Sequence, residues 1–336
     1  SMANVTLRLR RAFALLLCVA AAATAAAAES PLLSFVPAGA DCLVFADLGQ
    51  LRSRTGFDKL VEESPALREQ LDDFEARYRL RLDHCSELLW AGDGKRLRGL
   101  LIRTALPEAQ FRQGLREGGT RFSLKKYGAR EVLLVEAGSD LAKRQMRLAL
   151  CRLAPEVVLA AEELGIEPFF AGLKQDPAAR RAAFRVPAGA PLLWGYCNLR
   201  PMLSAAGKKA DPVVGLFFRN VRRIVGEVRL AGDGRGGWTF RMNAECDDAK
   251  SASMLAVTLP GYFATGAGLF FAGYPQLAAD VIAAFRARPQ GKEVAAELVV
   301  SEAMSRRLSL GVSWSASASA PAAGLALCCA PLTDAP

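Results

Sequence analysis

A single histidine, His84, serves the whole chain of 336 residues. That excludes HExxH and every other multi-histidine metal centre, and it leaves one base for any Ser-His-Asp arrangement. His84 stands beside Cys85, the two parts of a thiol–imidazole pair. The segment reads as strand, where neighbouring side chains point to opposite faces, so the two are not expected to meet. No GxSxG elbow is present. Ser123-Leu124-Lys125-Lys126 matches SxxK, which needs a serine and a lysine one helical turn apart; here it also reads as strand. Gly266-Ala267-Gly268 misses GxGxxG, and no glycine loop precedes a Walker lysine. Asp93 and Asp233 lack the further acids of a calcium loop, and Asp72, Asp73 and Glu75 read as a solvated helix face. The expectation is therefore no catalytic, metal or cofactor residues. A carboxylate enzyme would need Asp47, Glu87 or Glu302 to converge on one cleft.

Cysteine is the other reactive type, with eight copies. Cys18 lies in the N-terminal apolar run. The remaining seven are Cys42, Cys85, Cys151, Cys197, Cys246, Cys328 and Cys329. No CxxC occurs, and adjacent Cys328-Cys329 is too cramped for an ordinary disulfide. Cys42, Cys151 and Cys197 sit in apolar strand-like runs, where small buried thiols are usual. An odd set leaves at least one thiol without an intrachain partner, and spacing does not supply connectivity.

Residues 1–28 carry the pattern of an export signal. Arg8, Arg10 and Arg11 precede the apolar run Ala12–Ala23, and Ala26-Ala27-Ala28 before Glu29 suits a signal peptidase. Cleavage is expected, with an uncleaved N-terminal anchor as the alternative. The location is periplasmic or extracellular, with no transmembrane segment after cleavage. Removal takes three arginines and no acid, leaving 40 basic against 34 acidic residues, a net +6. The basic pairs Lys125-Lys126, Arg180-Arg181, Lys208-Lys209, Arg222-Arg223 and Arg306-Arg307 are scattered and not interleaved with aromatics, so no nucleic-acid partner is expected.

The remainder repeats itself. Val36-Pro37-Ala38-Gly39-Ala40 recurs as Val186-Pro187-Ala188-Gly189-Ala190, each leading into an apolar strand and then a Leu-Arg pair, Leu51-Arg52 and Leu199-Arg200. Ala91-Gly92-Asp93-Gly94 recurs as Ala231-Gly232-Asp233-Gly234. Two words in the same order point to an internal duplication. Asp-Gly between apolar runs signals a hairpin, pairing 87–91 with 97–104 and 224–231 with 238–245. Helices are expected after Ser64-Pro65 and Asp211-Pro212, and over 107–117 and 247–257. The order β-α-β-β-α is ferredoxin-like. It predicts an α+β fold of two tandem repeats with largely antiparallel sheets and helices packed on one face. Strands are expected over 121–125, 131–136, 145–153, 156–161, 293–300 and 308–315, and helices over 162–174 and 275–286. Residues 261–273 read as an apolar, glycine-punctuated stretch. The organisation is signal 1–28, first repeat 29–175, linker 176–185, second repeat 186–316 and a loose tail 317–336.

The export signal, the repeated VPAGA lead-in, the following Leu-Arg and the recurrence of the whole unit resemble a group of exported bacterial proteins. These carry a duplicated α+β domain of unknown function and are frequent in planctomycetes, verrucomicrobia and lentisphaerae. The resemblance spans roughly 33–310 and implies location and architecture, with no catalytic residues to carry over. The expected role is a non-enzymatic envelope protein that binds a protein, lipid or glycan. An apolar groove would favour a lipid or lipoprotein carrier, and a flat sheet patch would favour protein association. The contrasting class is a carboxylate- or cysteine-dependent enzyme, which would show a low-pKa thiol or shifted acids in a pocket.

Overall fold

The computed structural model describes residues 30–55, 80–93, 98–117, 121–135, 147–178, 191–201, 218–230, 237–271 and 273–311, together with Arg68, Asp72, Glu75, Phe184, Val186 and Pro187. The expected export signal, the helix after Asp211-Pro212 and the tail lie outside these residues; of the helix expected after Ser64-Pro65, Arg68, Asp72 and Glu75 are described, and they are helical.

A 3-10 helix, Pro31–Phe35, precedes β1 (Cys42–Asp47) and α1 (Leu48–Thr55). The hairpin β2 (Cys85–Gly92) and β3 (Arg98–Thr104) leads to α2 (Glu108–Glu117). The hairpins β4 (Phe122–Tyr127)–β5 (Arg130–Val135) and β6 (Leu148–Ala154)–β7 (Val157–Glu162) follow, and then α3 (Glu163–Gly172). The second part runs β8 (Leu193–Asn198), β9 (Val221–Leu230), β10 (Trp238–Cys246), α4 (Ala249–Phe270), α5 (Pro275–Ala284), β11 (Phe285–Gln290), β12 (Glu293–Val300) and α6 (Glu302–Gly311).

All the strands join one 12-stranded sheet, in the order β11-β12-β10-β9-β8-β1-β2-β3-β7-β6-β5-β4. Every pairing in it is antiparallel. This corrects the expectation of separate sheets: β1 and β8, the first strand of each part, pair with one another through Leu43↔Tyr196, Val44↔Gly195 and Phe45↔Trp194. The physical reason is that a first strand pairs with β2 or β9 on one side only. Its other edge presents unpaired N–H and C=O groups, and each edge satisfies the other. Outward from this seam the strand order is first, second, third, last, penultimate on both sides, and β5–β4 extend the first side. The β-α-β-β-α element order is present in the first part, but β1 lies directly beside β2.

Helices cover both faces, not one. The front face carries Leu43, Phe45, Leu89, Leu101, Leu159, Trp194 and Tyr196 beneath the 3-10 helix and Ile166 and Phe169 of α3. The back face carries Ile102, Leu150 and Val158 under Phe111 and Leu115 of α2 in the first part. In the second part it carries Phe240, Met242 and Leu298 under α4 and α5. β10 alternates buried and solvated positions along its length, with Arg241 and Asn243 exposed on the front. There Arg241 pairs with Glu297 at 2.7 Å, and Arg229 with Glu227 at 2.7 Å. The front of the second part is thus polar, while inner strands of the first part such as β7 are buried on both sides and the edge strand β4 is exposed.

Three local expectations change. The 261–273 stretch is helical as far as Phe270, because α4 runs through Pro260 and buries Leu259, Phe263 and Ala267 against the sheet. Residues 308–311, expected as strand, belong to α6, whose start is capped by the Ser301 hydroxyl accepting from Met304 N–H at 3.2 Å. The end of the expected 275–286 helix is the start of β11.

Asp248 caps α4 by accepting from Ser251 N–H at 2.7 Å, and this bond, first among its causes, lowers the carboxyl's pKa. A depressed carboxylate stabilises above its unfolded pKa and loses that contribution as pH falls through the folded value. Asp248→Ala is therefore expected to lower the melting temperature at pH 7, with the gap to wild type narrowing below about pH 4. Circular dichroism melts at pH 7 and pH 3 measure both.

Candidate functional site

The candidate site is a cavity of about 470 Å³ on the front, beside the seam, where the covered part of the sheet gives way to the polar part. One wall is the Ala38–Ala40 turn. Gly39 sits at φ +86°, the left-handed region that makes this turn accessible to glycine and strained for other residues. Pro37 and Ala38 rest on the end of α3: Ala38 N–H donates to the Gly172 carbonyl at 3.1 Å, and any Cβ on Gly172 would stand 2.7 Å from the Pro37 Cβ. The floor is Tyr196 and Asn198 of β8, with Phe184 meeting Tyr196 edge-on at 5.4 Å between ring centroids. The far wall is Arg200, Arg222, Arg223 and Glu245.

Strand register brings these groups together. Asn198 lies opposite Arg223, and Arg223 opposite Glu245, so three neighbouring strands place an amide, a guanidinium and a carboxylate in a row. Glu245 Oε2 accepts from Arg223 Nε at 2.9 Å and Nη2 at 2.6 Å. Asn198 Nδ2 donates to Asp41 at 3.2 Å. Arg222 Nε donates to Asp247 Oδ1 at 2.7 Å, and Arg200 donates to the same oxygen. The two guanidiniums hold the Asp247 carboxyl below its usual range, Arg222 foremost. Burial pushes the Tyr196 phenol up, and Arg223 offsets part of that rise. Two guanidinium forks sharing one carboxylate oxygen retain N–H donors for a second acceptor, since each fork has five.

The residues singled out for chemistry stand as follows. His84 is half exposed and 3.8 Å from Asp83, while Cys85 is buried, so the two side chains diverge as a strand start requires. Ser123 and Lys126, the serine and lysine of the SxxK match, both lie on β4, where a spacing of three puts their side chains on opposite faces. Asp47 and Glu87 are register partners on β1 and β2, yet each is engaged. Asp47 accepts from Gln50 N at 2.9 Å and Nε2 at 2.8 Å, whereas buried Glu87 accepts from Arg103 at 2.8 Å and from Ser30. Glu302 begins α6 beyond β12, four strands from β1. Burial pushes the Cys85 thiol up to about 12 and the Cys151 thiol to about 11, and raises Cys246 as well. Among the described residues no group of three His, Cys, Asp or Glu could hold a metal ion, and no helix is long and apolar enough to cross a membrane.

In the sequence Arg222-Arg223 is one of several scattered basic pairs, Arg200 stands out only as half of a repeated Leu-Arg pair, and nothing marks Tyr196, Asn198 or Glu245. The cavity draws on loops, a helical turn and three strands, and no spacing rule joins them. The repeated words are the available signals, since the first VPAGA forms a wall and the second Leu-Arg supplies Arg200.

Fold and site together define an antiparallel α+β protein with a polar, aromatic-floored cleft beside its central seam. No family model, curated protein or solved structure matches the chain.

Proposed function

We propose that this chain is a non-enzymatic, exported envelope protein whose seam cavity binds an acidic glycan. The cavity wall carries the reading: Asn198 and Gln175 place amides in it, and Arg200 and Arg222 share a single carboxylate oxygen. Tyr196 and Phe184 are buried and close the floor, while amides beside guanidinium forks with N–H donors to spare suit a sugar that bears a carboxylate. The volume falls within the roughly 300–1,000 Å³ of ordinary ligand sites. Four charged side chains in the wall, Arg200, Arg222, Arg223 and Glu245, speak against a lipid carrier. The raised Cys85 and Cys151 thiols, and Asp47 and Glu87 carboxylates already engaged by neighbours, speak against the cysteine- and carboxylate-enzyme readings, because a nucleophilic thiol needs a depressed pKa. The export reading rests on residues 1–28, and N-terminal sequencing of the mature protein tests it.

We infer further that residues 29–175 and 186–316 descend from one unit copied end to end. The repeated words support this, as does the common strand order outward from β1 and β8. The antiparallel β1/β8 register adds to it, because Val44↔Gly195 lies at the centre of an arrangement in which Leu43↔Tyr196 and Phe45↔Trp194 exchange places.

Calorimetry with uronic-acid oligosaccharides tests the binding reading. Saturable binding is expected, weakened at least about tenfold by Arg200→Ala and by Arg222→Ala, as loss of an anchor contact at a binding site implies. Absence of saturable binding, binding indifferent to both substitutions, or preferential binding of a fatty acid would overturn it.

A further inference from the structure

Cys42 and Cys197 lie directly opposite one another across the seam, on the two strands that join the halves of the sheet. Their pairing type follows from the hydrogen bonds at the ends of the same register. Asn198 N–H donates to the Asp41 carbonyl at 2.6 Å, and Asp47 N–H donates to the Leu192 carbonyl at 2.8 Å. Antiparallel pairs alternate between hydrogen-bonded and non-hydrogen-bonded. Asp41–Asn198 is of the first kind, so Cys42–Cys197 is of the second. Non-hydrogen-bonded partners have Cα atoms about 4.5 Å apart and side chains on one face, inside the roughly 4.4–6.8 Å window of disulfides. The other three described cysteines are buried elsewhere: Cys85 in the back core of the first part, Cys151 in the front core and Cys246 in the back core of the second part. Cys42 and Cys197 are half-buried, the two of the five described cysteines that keep some exposure.

We propose that Cys42 and Cys197 are a cross-strand disulfide site that covalently clasps the two half-sheets at their seam. The site is a substrate for thiol–disulfide exchange with an external disulfide, RSSR. One thiolate of the pair attacks one sulfur of RSSR and releases RS⁻, giving a mixed disulfide. The other cysteine, as thiolate, then displaces the second RS⁻ and closes the Cys42–Cys197 bond. Two cysteine thiols are oxidised, RSSR is reduced to two RSH, and the two thiol protons pass to the leaving thiolates. The contact between the thiols agrees with the register: the hydrogen bond to Cys197, with burial and the nearby Asp41 carboxylate, pushes the Cys42 thiol well above its usual range. The two positions are 155 residues apart, so closure removes a long loop's freedom from the unfolded chain.

The inference rests on the seam register and not on the reading of the cavity, and its test uses no glycan. The full chain is incubated with excess oxidised glutathione, alkylated, digested without reduction and mapped by mass spectrometry. A peptide pair linked through Cys42 and Cys197 is expected, absent after reduction, together with a rise in melting temperature of the oxidised over the reduced protein. Cys42→Ser is expected to leave Cys197 as a glutathione mixed disulfide, and Cys197→Ser to abolish the link without creating another. Both thiols alkylating fully after oxidation, or either appearing mainly linked to a different cysteine, would overturn the proposal.

Discussion

Replacing Trp194 with alanine is expected to cost about 3–5 kcal/mol of folding stability, as for other fully buried aromatics cut back to a methyl group. Trp194 has no solvent exposure and stacks on Phe45 with ring centroids 5.8 Å apart and planes 18° off parallel. The two are direct partners in the β1/β8 register, so the stack ties one half-sheet to the other. Losing it opens a cavity at the seam, where two strands would otherwise expose pairing edges. Trp194→Phe should cost much less, under about 1.5 kcal/mol. It keeps the aromatic contact and removes an indole N–H that has no hydrogen-bond partner among the described residues. Urea unfolding of both variants measures the contrast. A loss below about 1 kcal/mol for Trp194→Ala would mean that the seam is held by its backbone ladder and not by this stack.

The second large effect is on α3. Phe169→Ala is expected to cost about 3–5 kcal/mol and to weaken ligand binding as well. Phe169 is fully buried and lies directly over Gly99 of β3, where an added Cβ would come within 2.5 Å of its Cε2 and 2.9 Å of the Leu159 Cδ1. The strand glycine lets the helix approach, and the ring fills the space it leaves. Three residues on, Gly172 braces the Pro37–Ala38 wall of the cavity, so loosening α3 slackens that wall. Gly99→Ala alone should destabilise by about 1–3 kcal/mol through overpacking. Combined with Phe169→Leu it should cost less than the sum of the two single changes, with a coupling of about 0.5–3 kcal/mol. Strict additivity would show that ring and glycine are not in contact.

Much of the local structure was legible because local rules decide it. The β2–β3 and β9–β10 hairpins follow from apolar runs on either side of Asp-Gly, and the turn at Gly128 stands at φ +61°. Pro155 in the turn and the Val157-Val158-Leu159 run favour strands on either side, and β6 and β7 are strands. Where packing outweighs propensity, the reading stopped short. Gly261, Gly266 and Gly268 argue against a helix one residue at a time. Burial of Leu259, Phe263 and Ala267 on the back face nonetheless carries α4 through 22 residues. β11 escaped notice because FRARPQ shows charges on alternate positions without an apolar run, and its partner β12 supplies the pairing.

Periodicity and turn chemistry thus set which segments become strands and helices, since both act over a few residues and are written in them. They say nothing of what lies across an edge. Only the folded chain matched β1 to β8, made one sheet of two and lined up Asn198, Arg223 and Glu245 along the cavity. The physical reason is that every strand edge offers the same N–H and C=O groups. The choice among edges falls to side chains more than a hundred residues apart, such as Phe45 and Trp194, whose fit exists only once both are buried.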